Sequence, residues 1–471
     1  MQHQRSNVGQ TQHSGSRPLK CPIPRTDTRC LKPSRSSPMA RAHKQQVVES
    51  DVVIVGAGII GLLTASQLLQ QGMSVALVER KQLCAGATGA GQGYLWVAHR
   101  SPDTVGWQLA TTSMAMWRDM LQQDPSLSSA IEYQAAGSLL LASTAAEAED
   151  LSSRHHSLSK HGVQTKFLDA AAVRAMEPAL SLPGEGAGLL APADAQINGR
   201  KTAAYLLERC KRHKGFQLFF DKPISGLSPA PGSGHGVSVD TATRTLRGRR
   251  ATVVTAGAWS GPLLSALTGA PYDRLLAPRR GHLLEVARPQ GMPALKTGMM
   301  EMSYAKHYTL GNHGGSSTSS SSSGSASGPG STEVDITFTA TQSAAGTLLL
   351  GSSREFSGWD NDGSQPIIDT IMQRAAQFLP ALAGVNVAQS DTDAVRVGLR
   401  PFAHGGLPMV GPVPDVPGLY VAAGHEGSGL CLGPATAHML CGYVGGGAPD
   451  RAHAHVYEEL LPATRLLLAE L

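Results

Sequence analysis

The chain has 471 residues, 41% of them hydrophobic and only 5% aromatic, with mean hydropathy −0.11. These values exclude a fibrous or largely disordered chain and fit a globular protein of two or three domains built on Ala, Val and Leu. The formal charge of +5 is local: residues 1–49 hold nine Lys/Arg and two Asp/Glu, which leaves 31 basic and 33 acidic residues elsewhere, so no basic stripe argues for nucleic acid as a partner.

Residues 1–49 are Arg- and Ser-rich, poor in acids and without an apolar h-region. Such a composition excludes a secretory signal and fits an organellar transit segment ending near Ala40–Ala42. The abundance of Ser and Pro favours chloroplast over mitochondrion. No run of 18 apolar residues is free of polar interruption, so no transmembrane segment is expected. Six cysteines at 21, 30, 84, 210, 431 and 441 form no C-x-x-C, which argues against zinc or a disulfide framework.

From Asp51 the pattern turns globular. "DVVIVGAG" predicts a strand buried on both faces, "IIGLLTASQLLQQG" a helix ending at Gly72, and "SVALVER" a second strand ending at Glu79. A glycine-rich loop, "LCAGATGAGQGYLWVAHR", follows at 83–100. Helices are predicted at 105–125 and 145–162, with a strand at 137–143 between them. A helix at 202–214 leads into a strand, "FQLFFDKPISGL". "ATVVTAGAWSG" predicts a strand and glycine turn over 251–261. Further strand signals lie at 281–286 and 346–351, and a helix at 366–383. The serine-rich stretch 311–333 cannot bury apolar area and reads as a surface insertion. "AAGHEGSGLCLGPATAHML" at 422–440 is a second glycine cluster, in which Pro434 suits the first turn of a helix to about Tyr443.

Gly56-x-Gly58-x-x-Gly61 follows a buried strand, opens a helix and precedes an acid, Glu79, at the end of the next strand. That is the context of a dinucleotide fingerprint. Gly56 permits the tight turn, Gly58 lets backbone approach a pyrophosphate, and Gly61 lets helix and strand pack closely. Glu79 accepts from ribose hydroxyls and repels a 2′-phosphate, which disfavours NADP. The motif alone does not separate FAD from NAD. The loop at 83–93 and the second glycine cluster favour FAD, because a longer cofactor needs a second backbone surface. An NAD-dependent dehydrogenase and a non-catalytic flavin-binding protein stand as the alternatives.

The ordered set "VVIVGAGIIG", "VALVER", "GATGAGQG", "VVTAGAWSG", "GLRPFAHGGLPMVGPVP" and "GLYVAAGHEGSGLCLGPAT" resembles the FAD-dependent D-amino-acid oxidase superfamily. The resemblance is strongest to its glycine oxidase, sarcosine oxidase and hydrogen cyanide synthase/opine oxidase branch, and covers about 51–447. It implies an α/β fold (α+β overall): a discontinuous Rossmann-like FAD-binding domain at 51–135, 196–270 and 388–447, and a sheet-containing substrate domain at 136–195 and 271–387. A C-terminal helix is expected at 448–471.

The resemblance also implies site residues. Gly56, Gly58, Ile59, Ile60 and Gly61 hold the pyrophosphate, and Glu79 with Arg80 the adenosine ribose. Ala87 and Thr88 contact phosphates, Gln92, Gly93 and Tyr94 approach the flavin, Ile224 meets adenine, and Ala256 and Gly257 line the turn near the ADP half. His425, Glu426, Gly427, Ser428, Gly429, Leu430 and Cys431 contact the isoalloxazine. Some relatives attach FAD through a His; Ala90 stands at that position, so non-covalent FAD is expected. Cys84 and Cys431 are expected to be packing thiols. Arg400 matches the arginine that pairs with a substrate carboxylate. The implied activity is oxidation of the C–N bond of an amino acid or secondary amine, by hydride transfer to flavin N5 and hydrolysis of the imine. The electron acceptor is oxygen or another carrier. Tyr304, His307 and Tyr308 are either pocket residues or ordinary strand aromatics, and His99 and His282 read as structural. No metal and no catalytic triad are expected.

Overall fold

The computed structural model describes residues 46–220, 224–229, 236–304, 333–446 and 454–467. The expected transit segment up to residue 45, the insertion over 311–332, His307 and Tyr308 lie outside them. The elements that position the site are, in chain order, β1 (Gln46–Val55), α1 (Ile59–Gln70), β2 (Val75–Val78), α2 (Val105–Gln123), α3 (Gly199–Lys211), β3 (Arg244–Val254), β4 (Leu276–Val286), β5 (Leu348–Arg354), α4 (Gln365–Phe378), β6 (Val395–Ala403), β7 (Leu419–Ala423) and α5 (Gly429–Gly445).

The first sheet runs Met409–Pro412, β7, β3, β1, β2, Phe216–Phe219. Its centre is parallel: β1 pairs with both β2 and β3, and β3 with β7. A hairpin of Ile224–Pro229 and Val237–Thr241 hangs from β3. The central strands have apolar residues on both faces because helices cover one side and β3's own hairpin contributes to the other. Ten of the twelve α1 residues are buried, so it carries no polar face; α5 and α3 enclose it against the sheet. Gly72, at φ +82, ends this unit as the sequence predicts.

The second sheet runs β6, β4, β5, Asp335–Gln342, Gly298–Glu301, Ser138–Ala142, Ala187–Ala191, Lys166–Asp169. It is antiparallel except where Gly298–Glu301 meets Ser138–Ala142. α4 covers it, with Phe338 and Phe378 stacked at 4.3 Å. β6 belongs to this sheet, although it lies in the stretch expected to serve the cofactor domain.

Several sequence readings need correction. The strand expected across 216–227 is two strands in different pairings. β3 starts at Arg244 rather than 251; its four arginines hide the strand from a hydropathy reading, yet Arg244–Gly248 pairs with Gln46–Ser50, and the register shifts at Arg249 and Arg250 before Val52 meets Ala251. Helix 366–383 stops at Phe378, since Pro380 cannot donate to the ladder, and a short 3-10 turn follows. The C-terminal helix is two short helices, Ala454–Leu460 and Pro462–Leu466, divided at Pro462.

Candidate active site

A cavity of about 930 Å³ runs between the two sheets. It starts at the β1–α1 turn. Gly56 has φ +111, and a Cβ there would lie 2.6 Å from the Thr255 carbonyl oxygen. At Gly61 a Cβ would meet the Gly56 oxygen at 2.1 Å and Thr255 Oγ1 at 2.7 Å. Both positions therefore admit only glycine without moving backbone. Gly58 differs: its missing Cβ would face Thr88 Oγ1 at 3.4 Å, at the cavity wall. The Thr88 hydroxyl accepts from the Ile59 N–H at 3.1 Å and does the capping that Gly58 cannot. α1 has no acid in its first turn, so its positive end is left for an external anion.

Glu79 joins this turn to β2. One carboxylate oxygen accepts from the Ala57 N–H at 3.0 Å and the other from the Lys81 N–H at 2.9 Å. Next to it the Arg80 guanidinium lies 3.8 Å from the Trp259 ring centroid. Ile224, Ala256 and Gly257 border the same end, with Ala87 at the start of a short helix, Ala87–Ala90, in the segment after β2.

Midway, Gln92, Gly93 and Tyr94 line the cavity. Gln92 ties the loop to the second sheet: its amide donates to the Leu349 carbonyl at 2.9 Å and accepts from Thr339 Oγ1 at 3.0 Å. A Cβ on Gly93 would lie 1.9 Å from the Ile197 oxygen, so this loop too needs glycine. Tyr94 stacks on Trp96 at 3.8 Å.

The far end combines α5 with β4, β5 and β6. Here α5 begins at Gly429, and Pro434 lies inside it rather than in its first turn. A proline cannot donate to the carbonyl four residues back. That carbonyl, of Leu430, accepts from the Trp117 indole N–H at 3.0 Å instead, and the Ala435 N–H goes to Ser113 Oγ at 3.0 Å. The break in α5 is thus stitched to α2.

His425, Glu426, Gly427, Gly429 and Leu430 border the cavity. The His425 ring shares a 3.0 Å hydrogen bond with Thr436, and burial pushes its pKa down to about 3, so it is neutral. Burial favours a neutral Glu426, but Arg279, Arg354 and Arg400 outweigh it and hold the carboxyl below its usual range. Arg279 donates to Glu426 at 2.9 Å.

Arg400 lies opposite Arg279 in the β4–β6 register and borders the cavity. It donates to the Ser353 carbonyl at 2.8 Å. Its guanidinium rests over Gly281: a Cβ there would lie 2.2 to 2.4 Å from three guanidinium atoms. Tyr304 is buried at the cavity wall under Arg354, whose guanidinium is 3.9 Å from its ring centroid. It is helical rather than extended, so it is not a strand aromatic.

Three expected residues do not border the cavity. Gly61 packs behind Gly56; Ser428 accepts from Arg100 at 2.7 Å; Cys431 is buried against the Trp96 carbonyl. His282, read from the sequence as structural, does border it. Its Nε2 accepts from the Ser364 N–H at 3.2 Å, so Nδ1 carries the proton and donates to Ser353 Oγ at 2.9 Å. Burial pushes its pKa down to about 4, with Arg280 adding to the shift. His99 is buried away from the cavity lining, with its pKa well below the usual range for the same first reason. Gly281, Trp359 and Asn361, which carry no motif of their own, also line the cavity, as does Trp259 of the "VVTAGAWSG" stretch, to which the sequence reading assigns no role. Among the described residues no group of His, Cys, Asp or Glu is arranged to hold a metal, and Cys84, Cys210, Cys431 and Cys441 are free thiols.

Two helix N-termini, a glycine turn that excludes side chains and a carboxylate at the end of β2 thus meet at one elongated cavity. This arrangement fits FAD. It defines a flavin-dependent oxidoreductase, and residues 51–442 match the sequence profile of the DAO family, FAD dependent oxidoreductase. The chain belongs to that family, is an enzyme and uses FAD. Over 416 residues it is 27% identical to the glycine oxidase of Pseudomonas aeruginosa, covering 84% of this chain and 95% of that one. The HcnC subunit of hydrogen cyanide synthase from Pseudomonas protegens is 28% identical over 279 residues, 59% of this chain and 55% of the relative. The crystal structure of glycine oxidase from Geobacillus kaustophilus superposes with a TM-score of 0.70 at 24% identity, covering 87% and 98% of the two chains.

Proposed function

We propose that the protein oxidises the C–N bond of a small amino acid or secondary amine that carries a carboxylate. One observation carries this reading: the Arg400 guanidinium, fixed at the cavity wall over Gly281. Arg279, Arg354 and Arg400 together hold the neighbouring Glu426 carboxyl ionised, which makes this end of the cavity a setting for anions. A guanidinium fork pairs with a substrate carboxylate and fixes its orientation.

Bound FAD supplies a two-electron acceptor. The rest of the chemistry asks little of the chain. Arg400 anchors the carboxylate and so sets where the α-carbon lies. Tyr304 closes the pocket beside it. The substrate loses two electrons and two hydrogens, its C–N bond becomes C=N, and water hydrolyses the imine. Both ring nitrogens of His282 are engaged by Ser353 and Ser364, which argues against its use as a base. Gly56, Gly58, Ile59, Ile60, Glu79 and Thr88 hold the dinucleotide half, and the His425–Leu430 segment meets the ring half. The α5 N-terminus, without an acid in its first turn, favours negative charge there. With Ala90 at the attachment position of some relatives, the flavin is held non-covalently, and acid precipitation of the protein should release it.

Anaerobic rapid mixing with amino acids and secondary amines tests the proposal. Bleaching of the flavin by at least one carboxylate-bearing amine is the expected result. A flavin that no member of the panel reduces would overturn it. Reoxidation by oxygen against a dye then separates an oxidase from a dehydrogenase.

A further inference from the structure

The two sheets also meet through a pair of tryptophans. Trp259 stands in the turn after β3, on the first sheet. Trp359 stands between β5 and α4, on the second. Their rings stack at 5.5 Å with an interplanar angle of 30°. Arg80, which follows Glu79, lies over the Trp259 ring at 3.8 Å. Trp259 also abuts the loop after β2: a Cβ on Gly86 would lie 3.8 Å from its ring. Both tryptophans, Arg80 and Asn361 border the cavity. Through Trp259 and Arg80 the stack lies beside Glu79, at the end of the cavity that holds the β1–α1 turn.

Trp359 remains 47% exposed, an unfavourable place for a large indole unless its covered face has a task. The segment that carries it is held at both ends. Arg280 binds Glu355 at 2.8 Å, pairs with Asp360 and donates to the Asp362 carbonyl at 3.0 Å. His282 accepts from the Ser364 N–H. Between these anchors Gly358, at φ +63, turns the chain so that Trp359 reaches across the cavity to the first sheet.

We propose that Arg80, Trp259 and Trp359 form a clasp over the dinucleotide half of the FAD site, and that FAD leaves only when the Trp359–Trp259 stack parts. The proposal rests on the cofactor being FAD and is independent of which amine is oxidised. The clasp adds retention without touching the reacting atoms, so it acts on the FAD dissociation rate and not on substrate affinity.

The test is the FAD dissociation rate of the holoenzyme after dilution, read as recovery of free-flavin fluorescence, for wild type, Trp359→Ala and Trp359→Gln. The glutamine keeps side-chain length and removes the ring. Both variants should release FAD about 2- to 10-fold faster, the range that one stacked aromatic pair contributes, with substrate KM unchanged. Release at the wild-type rate by either folded variant overturns the clasp. A raised KM with unchanged release also overturns it and makes Trp359 a residue of substrate entry. Wild-type protein that purifies without flavin would instead strike at the cofactor assignment itself.

Discussion

Gly281→Ala should damage substrate binding without touching flavin or substrate directly. Gly281 lies in β4, in extended backbone that alanine adopts freely, so the effect is steric. The added methyl would fall 2.2 Å from Arg400 Nη1, 2.3 Å from Cζ and 2.4 Å from Nη2. Contact at ordinary van der Waals distance requires the guanidinium to retreat by roughly 1 Å. The 2.8 Å hydrogen bond to Ser353 does not survive that displacement. A lost hydrogen bond to a charged group costs about 1.5–3 kcal/mol, so KM for a carboxylate substrate should rise about 10- to 150-fold. Flavin affinity should be unchanged, since the added methyl meets the Arg400 guanidinium and not the β1–α1 turn. Steady-state kinetics on Gly281→Ala, Arg400→Leu and the double variant form a cycle. If the methyl acts through Arg400, it adds nothing once Arg400 is gone. An unchanged KM in Gly281→Ala, or full additivity in the cycle, would refute the reasoning.

Gly58→Val should purify colourless, because its side chain fills the approach to the α1 N-terminus beside Thr88; retention of the flavin spectrum would show that the pyrophosphate binds elsewhere. Trp117→Phe strands the Leu430 carbonyl beside Pro434 and should cost about 1–3 kcal/mol in urea unfolding, with a loss below 0.5 kcal/mol speaking against the stitch. His425, with a folded pKa of about 3 against an unfolded value near 6.5, contributes stability that is complete above pH 6.5 and lost as pH falls toward 3. Asp194, pushed up to about 6 by burial, acts in the opposite sense, so the effect is best read as a difference. His425→Asn should flatten the fall in unfolding free energy between pH 6 and 4 by about 1 kcal/mol per pH unit, and parallel curves would refute it. Residues 1–49 fused to a fluorescent protein should direct it to chloroplasts; diffuse cytosolic signal would count against the transit reading.

The βαβ unit was legible because its requirements are local. Val52–Val55, Gly56, Gly58 and Gly61 are close in sequence, and the apolar run, the turn and the helix each leave a mark in the order of residues. Glu79 followed from its spacing. The start of β3 was not legible, because four arginines interrupt the apolar pattern of a strand whose pairing partner lies nearly 200 residues away. Pro434 read as a helix start because only the fold supplies Trp117 and Ser113 to satisfy the groups it disrupts.

Arg400 could be named from its motif, yet nothing in the sequence links it to Gly281 or Ser353, 119 and 47 residues away. Likewise Trp259 and Trp359 are ordinary tryptophans until two sheets bring their rings to 5.5 Å. The sequence by itself determined the cofactor class and its glycine turn, because backbone conformation at a glycine is a property of a few adjacent residues. The tertiary structure alone decided the shape and charge of the substrate end, because those are sums over side chains that only long-range pairing makes neighbours.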